Sequence, residues 1–161
     1  MTEREYNNCV NLYADNVYRF ILKNLRNEED AKDVVQSAFE KLWITRDQVV
    51  NDKCKSYLFT IAYHQMIDFI RKQKRIQLKD EFGEMAMGTG NIHHNVKRIL
   101  DEALGKLSEI QRSLVMLKDY EGYNYAEIGE ITGLNESQVK VYLHRARLQL
   151  KAYIVRVENV L

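Results

Sequence analysis

The chain has 161 residues, which suits one domain or two small ones, and its hydrophobic fraction of 45% supports compact cores and excludes wholesale disorder. No apolar run approaches the roughly 18 residues needed to span a bilayer, and Met1–Tyr6 lacks the basic and apolar regions of a signal peptide, so a cytoplasmic protein without direct membrane binding is expected. A net charge of only +1 excludes a strong, self-sufficient binder of duplex DNA, because that affinity rests on lysines and arginines neutralising phosphates.

There is no proline, and strand-like alternation is scarce, so the expected fold is all-α: two small helical domains joined by a flexible linker. Val10, Tyr13, Val17, Phe20 and Ile21 mark a first helix. Asn27-Glu28-Glu29-Asp30 breaks it and starts a second, with Ala31, Val34, Val35, Ala38, Phe39 and Leu42 inward. Asp30, Asp33 and Ser37 share its outer face. Acids there suit docking onto a basic coiled coil, and those in the first turn also favour the positive end of the helix dipole. Trp43 ends the apolar stripe and reads as core rather than as a stacking platform.

A third helix is expected from about Lys55 to Arg75, with Tyr63, Met66, Ile67 and Ile70 on one stripe and Arg71, Lys72, Lys74 and Arg75 at its end, able to hold a nucleic-acid backbone. Gln77–Asn91 breaks the pattern with Gly83, Gly88 and Gly90, and reads as the linker between a domain at 1–76 and another at 92–161. At full stretch it reaches roughly 50 Å, enough for the domains to engage separate sites. His93-His94 lacks a carboxylate or cysteine at ligand spacing and reads as a linker end, not a metal site. Cys9 and Cys54 are far apart in sequence, form no redox or metal spacing, and read as free thiols. No cofactor is expected.

After the linker, Ile92, Val96, Ile99, Leu100, Ala103 and Leu107 form one helix and Glu109–Tyr120 another. Tyr125–Arg147 then reads as a helix-turn-helix. Ile128 and Ile131 give its first helix an apolar edge, Gly129 leaves room for a close crossing, and Gly133 supplies a left-handed exit. Asn135 and Gln138 form a capping box for the second helix. Val139, Leu143, Ala146 and Leu150 face inward, leaving Ser137, Gln138, Lys140, Val141, His144, Arg145 and Arg147 outward as a DNA-reading face. The alternative for these residues alone is a helical hairpin with a solvated basic face. Charge is unevenly placed: Met1–Ile76 carries 13 basic and 11 acidic residues, while Gln77–Leu161 carries 11 and 12. Positive charge is concentrated in Arg71–Arg75 and Lys140–Lys151, so DNA is met with help from something larger.

Three segments in order carry a family resemblance. Asp30-Ala31-Lys32-Asp33-Val34-Val35-Gln36-Ser37-Ala38-Phe39-Glu40-Lys41-Leu42-Trp43 resembles the polymerase-binding helix of bacterial sigma factors. Lys55–Ala62 leading to Ile67–Lys72 resembles their promoter-element helix, and Leu107–Leu150 their C-terminal DNA-binding region. The short two-domain layout is similar to the extracytoplasmic-function group. The resemblance implies core RNA polymerase as partner, docked through Asp30, Asp33, Gln36 and Ser37 onto the clamp helices of its largest subunit. It implies capture of the unpaired −10 non-template strand by Asn51, Asp52, Lys53 and Lys55, with His64, Arg71, Lys72 and Arg75 alongside. It also implies reading of double-stranded −35 promoter DNA by Ser137, Gln138, Lys140, Val141, His144, Arg145, Arg147 and Lys151, no catalytic activity, and an anti-sigma factor, often membrane-anchored, as regulator.

Departures from the family pattern fall on specificity: Lys32 and Ser37 where acids are common, Tyr63-His64 for the frequent Arg-Asn pair, and Tyr142 for a small hydroxyl residue. A stand-alone helix-turn-helix regulator would explain the residues after Asn91 but leave Asp30–Trp43 without a purpose. A helical protein-interaction module without DNA binding would treat both basic stretches as solvated.

Overall fold

The computed structural model describes residues 1–79 and 96–160, all-helical apart from short connections. Seven α-helices follow in order among the described residues: α1 Glu3–Leu25, α2 Glu28–Thr45, α3 Cys54–Lys79, α4 Val96–Lys106, α5 Glu109–Val115, α6 Tyr125–Thr132 and α7 Glu136–Val160. Two single 3-10 turns, Arg46–Gln48 and Asn51–Lys53, link α2 to α3, and a π-helical turn at Met116–Tyr120 extends α5.

Helix starts follow the polar residues that satisfy orphan backbone donors. Thr2 with Glu5, Ser108 with Gln111 and Asn124 with Glu127 form reciprocal capping boxes, and Asn27 accepts the Asp30 N–H at 3.0 Å. α1 ends at Arg26, a non-glycine residue at φ 58° whose N–H returns to the Leu22 carbonyl at 2.7 Å. That left-handed conformation costs on the order of 1 kcal/mol and aims the Arg26 guanidinium at the Asp101 carbonyl of α4, 2.8 Å away.

α1, α2 and α3 pack as a three-helix unit around Phe20, Ile21, Ala31, Ala38, Leu42, Leu58, Phe59, Ala62 and Met66, all essentially inaccessible. α4 to α7 enclose Leu104, Leu114, Leu117, Ile128, Ile131, Val139, Leu143 and Ala146. The two sets join in one continuous apolar cluster, with α3 against α6 and α1 against α5.

Arg112 ties the units together through buried polar groups. Its Nε donates to the Leu104 carbonyl at 2.9 Å, its Nη2 to those of Leu107 at 2.9 Å and Gly105 at 3.5 Å, and its Nη1 to Asn24 of α1 at 3.1 Å. Burial, with the neighbouring Arg26 charge, lowers the Arg112 pKa from its ordinary value. The buried Asn24 side chain donates to the Phe20 carbonyl at 2.8 Å and accepts from Ser113 Oγ at 3.3 Å. Ion pairs Lys23–Asp101 and Lys74–Glu109 flank this network.

Several expectations change. Trp43 is not core: 36% of it stays accessible, its ring meets Tyr6 edge-on at 4.9 Å, and the Arg46 guanidinium lies 3.7 Å over it. α2 ends two residues beyond Trp43, and α1 reaches the indole only through Tyr6, so it is covered only in part. Val96, expected inward, is 81% exposed at the first turn of α4. The Glu109–Tyr120 helix is α-helical only to Val115. Gln77–Lys79 continue α3, while the rest of the expected linker, Ile92 and the His93-His94 pair lie outside the described residues. Cys9 and Cys54, distant in sequence, are both buried and free; burial first, then the neighbouring Cys54 thiol, pushes the Cys9 thiol pKa up.

Replacing Arg112 by methionine keeps much of the side-chain length but leaves its carbonyl partners without their donor. Stability should fall by about 2–4 kcal/mol, read as a lower midpoint of urea unfolding. An unchanged midpoint would show that those carbonyls find other donors.

Candidate nucleic-acid interface

The helix-turn-helix is built from α6, a three-residue turn and the first half of α7. α6 ends on Gly133 at φ 81°, whose N–H bonds the Gly129 carbonyl at 2.8 Å. A Cβ on Gly129 would lie 2.7 Å from the Leu134 carbonyl oxygen, so this glycine makes room for the backbone of the turn rather than for a crossing helix. The Gln138 N–H donates to Asn135 Oδ1 at 2.8 Å, and the Asn135 N–H donates to Gln138 Oε1 at 3.0 Å, the expected capping box. Val139, Leu143, Ala146 and Leu150 are buried, which fixes the rotation of α7.

That rotation leaves Ser137, Gln138, Lys140, Val141, His144, Arg145, Arg147 and Lys151 exposed on α7. Not all are equally available. Gln138 already commits its carbonyl oxygen to the cap, leaving its amide NH2 for contacts. Lys140 pairs with Glu136 at 3.5 Å, one turn away, and its ammonium lies 5.4 Å from the Tyr125 ring centre. Arg147 makes a two-pronged contact with Asp119, Nη2 at 2.6 Å and Nε at 3.4 Å, and this hydrogen bonding raises its pKa. Lys118 stands 4.8 Å from the same Tyr125 ring. Lys118, Asp119 and Tyr125 thus border the outward face of α7; Lys118 and Asp119 fall in the helix expected over Glu109–Tyr120, where nothing local ties them to α7.

In the N-terminal unit, the predicted residues separate into two surfaces. On α2, Asp33 and Gln36 are exposed and Asp30 and Ser37 half-buried. Asp33 and Ser37 line a groove with Asp68 and Lys72 of α3, while Asp30 lines a separate cleft with Lys74, Glu109 and Arg112. Asn51, Asp52 and Lys53 form the exposed 3-10 turn before α3, and His64, Arg71, Lys72 and Arg75 are exposed farther along that helix. His64 stacks edge-on against Tyr63 at 5.5 Å.

Lys55 differs from its neighbours. It is half-buried, its ammonium pairs with Glu121 at 3.4 Å, and the Tyr123, Tyr13 and Phe59 ring centres lie 5.1, 5.7 and 5.9 Å away. Glu121 and Tyr123 come from the C-terminal unit, a long-range pairing that no local pattern reveals. Among the described residues, no cluster of three potential metal ligands forms and no helix is long and apolar enough to cross a membrane.

Comparison with known proteins agrees with this layout. The Sigma-70 region 2 family matches residues 9–76, and the Sigma-70 region 4 family residues 97–150. The chain is 33% identical to the RNA polymerase sigma factor SigV of Bacillus subtilis, over 88% of this chain and 89% of that protein. It is 29% identical to the ECF RNA polymerase sigma factor SigM of the same organism, over 92% and 94%. Its fold matches that of the sigma factor RpoE solved with the anti-sigma factor NepR from Bartonella quintana, with a TM-score of 0.80 over 94% of this chain and 97% of that one at 22% identity. It also matches CnrH solved with the cytosolic domain of CnrY, with a TM-score of 0.70 over 96% and 90% at 23% identity. The chain therefore belongs to the extracytoplasmic-function group of bacterial RNA polymerase sigma factors, non-enzymatic proteins that direct promoter-specific initiation of transcription.

Proposed function

We propose that the two units divide this work. Residues 1–76 dock on core polymerase and hold the opened −10 region, residues 92–161 read the −35 duplex, and 77–91 joins them. The observation that carries the reading is α7: a fully buried inward ladder holds a continuous outward face of Ser137, Lys140, Val141, His144 and Arg145, the size and chemistry of a major-groove reader. Ser137, Gln138, Lys140, Val141 and Arg145 contact base edges or the groove, His144 borders them, and Arg147 and Lys151 hold phosphates.

Asp30 and Asp33, with Gln36 and Ser37, present acid to the basic clamp helices of core polymerase, where opposite charge steers encounter and fixes register. Asn51, Asp52, Lys53 and Lys55 receive an unstacked base of the non-template strand, and His64, Arg71, Lys72 and Arg75 follow the backbone. Each contact is weak alone. Tethering makes the second one effectively intramolecular, which offsets the balanced net charge. The solved RpoE is held by an anti-sigma factor; we infer a regulator of that kind for this chain, acting in the cytoplasm by covering its polymerase-binding surfaces.

The deciding experiment is run-off transcription from candidate promoters with purified core polymerase, with and without this protein. Promoter-specific initiation only on addition is expected. Tight duplex binding by the protein alone with no initiation would instead mark a stand-alone regulator. Reversal of both acids, Asp30→Lys with Asp33→Lys, should abolish co-purification with core enzyme while the helical circular dichroism spectrum persists; retained co-purification would remove docking from these residues.

Asp119→Asn tests the phosphate role of Arg147, since it weakens the competing carboxylate. Duplex affinity, followed by fluorescence anisotropy, should rise and its salt dependence should steepen by about one released ion. An unchanged salt slope would take Arg147 off the phosphate backbone.

A further inference from the structure

The capping box that starts α7 also limits which bases Gln138 can read. Asn135 and Gln138 are tied twice, by the Asn135 N–H on Gln138 Oε1 at 3.0 Å and the Gln138 N–H on Asn135 Oδ1 at 2.8 Å. The first bond settles the orientation of the amide. A backbone N–H can be met only by the carbonyl oxygen, so Nε2 is the free end. Gln138 is exposed, and among the described residues its Nε2 makes no hydrogen bond within the chain. It stands in the first turn of α7, the part of a reading helix that meets base edges, and the buried Val139 beside it fixes the rotation of that turn.

A glutamine reads adenine with both ends of its amide: the carbonyl accepts from N6 while the NH2 donates to N7. With Oε1 held by the cap, that two-ended contact is closed to Gln138, and recovering it means giving up the bond to Asn135. What remains is a pair of N–H donors. Guanine offers N7 and O6, two acceptors side by side, and thymine offers O4 alone. Adenine sets its N6 amino group against the amide NH2, and cytosine presents only the N4 amino group. The neighbouring positions do not supply the missing acceptor. Ser137–Arg147 contains no Asp, Glu or Asn, and Glu136 is engaged with Lys140 at 3.5 Å. Arg145, two turns on, is exposed without a hydrogen bond or ion pair among the described residues and adds further donors.

We propose that Gln138 is a donor-only reader, which sets a preference for guanine at one position of the −35 duplex and rejects adenine and cytosine there. The inference rests on the assignment of α7 to the −35 element given above. The bond that starts the helix thereby selects the base, because it consumes the one acceptor that would admit adenine.

Gln138→Glu separates the two roles. Glutamate is a usual partner in such a box, so one carboxylate oxygen keeps the Asn135 N–H while the other puts an acceptor where the NH2 stood. The measurement is selection of bound duplexes from a randomised library by the full chain assembled with core polymerase. The wild-type chain should favour guanine over adenine about 5-fold at one −35 position. Gln138→Ala should level that position alone, and Gln138→Glu should turn it from guanine toward cytosine, whose N4 amino group donates. Ratios between bases at one position are compared, so a general loss of affinity or of helix stability does not imitate the result. Adenine at the position that Gln138→Ala levels would overturn the donor-only reading. So would the lack of any position responding to Gln138→Ala while Arg145→Ala levels another, and α7 would then stay on the −35 duplex. No response to either variant would remove α7 itself from base reading, and the role of Gln138 with it.

Discussion

One guanidinium closes the ends of two helices from different units. The last turn of a helix leaves carbonyls without intrahelical donors, and Arg112 serves those of Leu104 and Gly105 at the end of α4 and of Asn24 at the end of α1. A cation there also meets the negative ends of both helix dipoles. Arg26, held left-handed at the end of α1, adds a second tie between the same two helices by reaching the Asp101 carbonyl within α4. Phe20, whose carbonyl accepts from Asn24 in this seam, meets Phe59 edge-on at 5.6 Å, and Phe59 meets Tyr123 edge-on at 5.7 Å.

Local chemistry made much of this legible from sequence. The start of α2 at Asn27–Asp30, the capping box at Asn135, the left-handed Gly133 and the ladder Val139–Leu150 depend on residues within a few positions, and each stands where its spacing places it. What spacing does not encode is which faces meet. Trp43 has the apolarity of a core residue, but it sits near the end of α2, where Tyr6 of α1 covers it only in part. Val96 has helical periodicity but occupies an end turn. Glu121 and Lys55 lie far apart in sequence, and the packing of the C-terminal unit on α3 brings them together. The outward positions of α7 were therefore readable, whereas the partners that restrain Lys55 and Arg147 were not.

Those partners refine the meaning of a net charge near zero. Glu121, Asp119, Glu109 and Glu136 each neutralise a specific base on or beside the faces proposed to meet nucleic acid. Such pairs add little stability where they are exposed. Their effect is selective, because a phosphate must outcompete a carboxylate already in place, and that competition is easiest where holoenzyme fixes DNA nearby. Under the proposed division of labour, low intrinsic affinity follows from arrangement as much as from composition.

The contact between Cys9 and Cys54 has a practical consequence. Both sulfurs are enclosed between α1 and the start of α3, and the raised pKa of Cys9 leaves almost no thiolate at neutral pH. Thiol reagents attack thiolates that solvent can reach, so modification of Cys9 must await a local opening of the N-terminal unit. The native chain thus contains its own probe: the rate at which it takes up a thiol reagent is a clock for the separation of α1 from α3, readable without introducing any label.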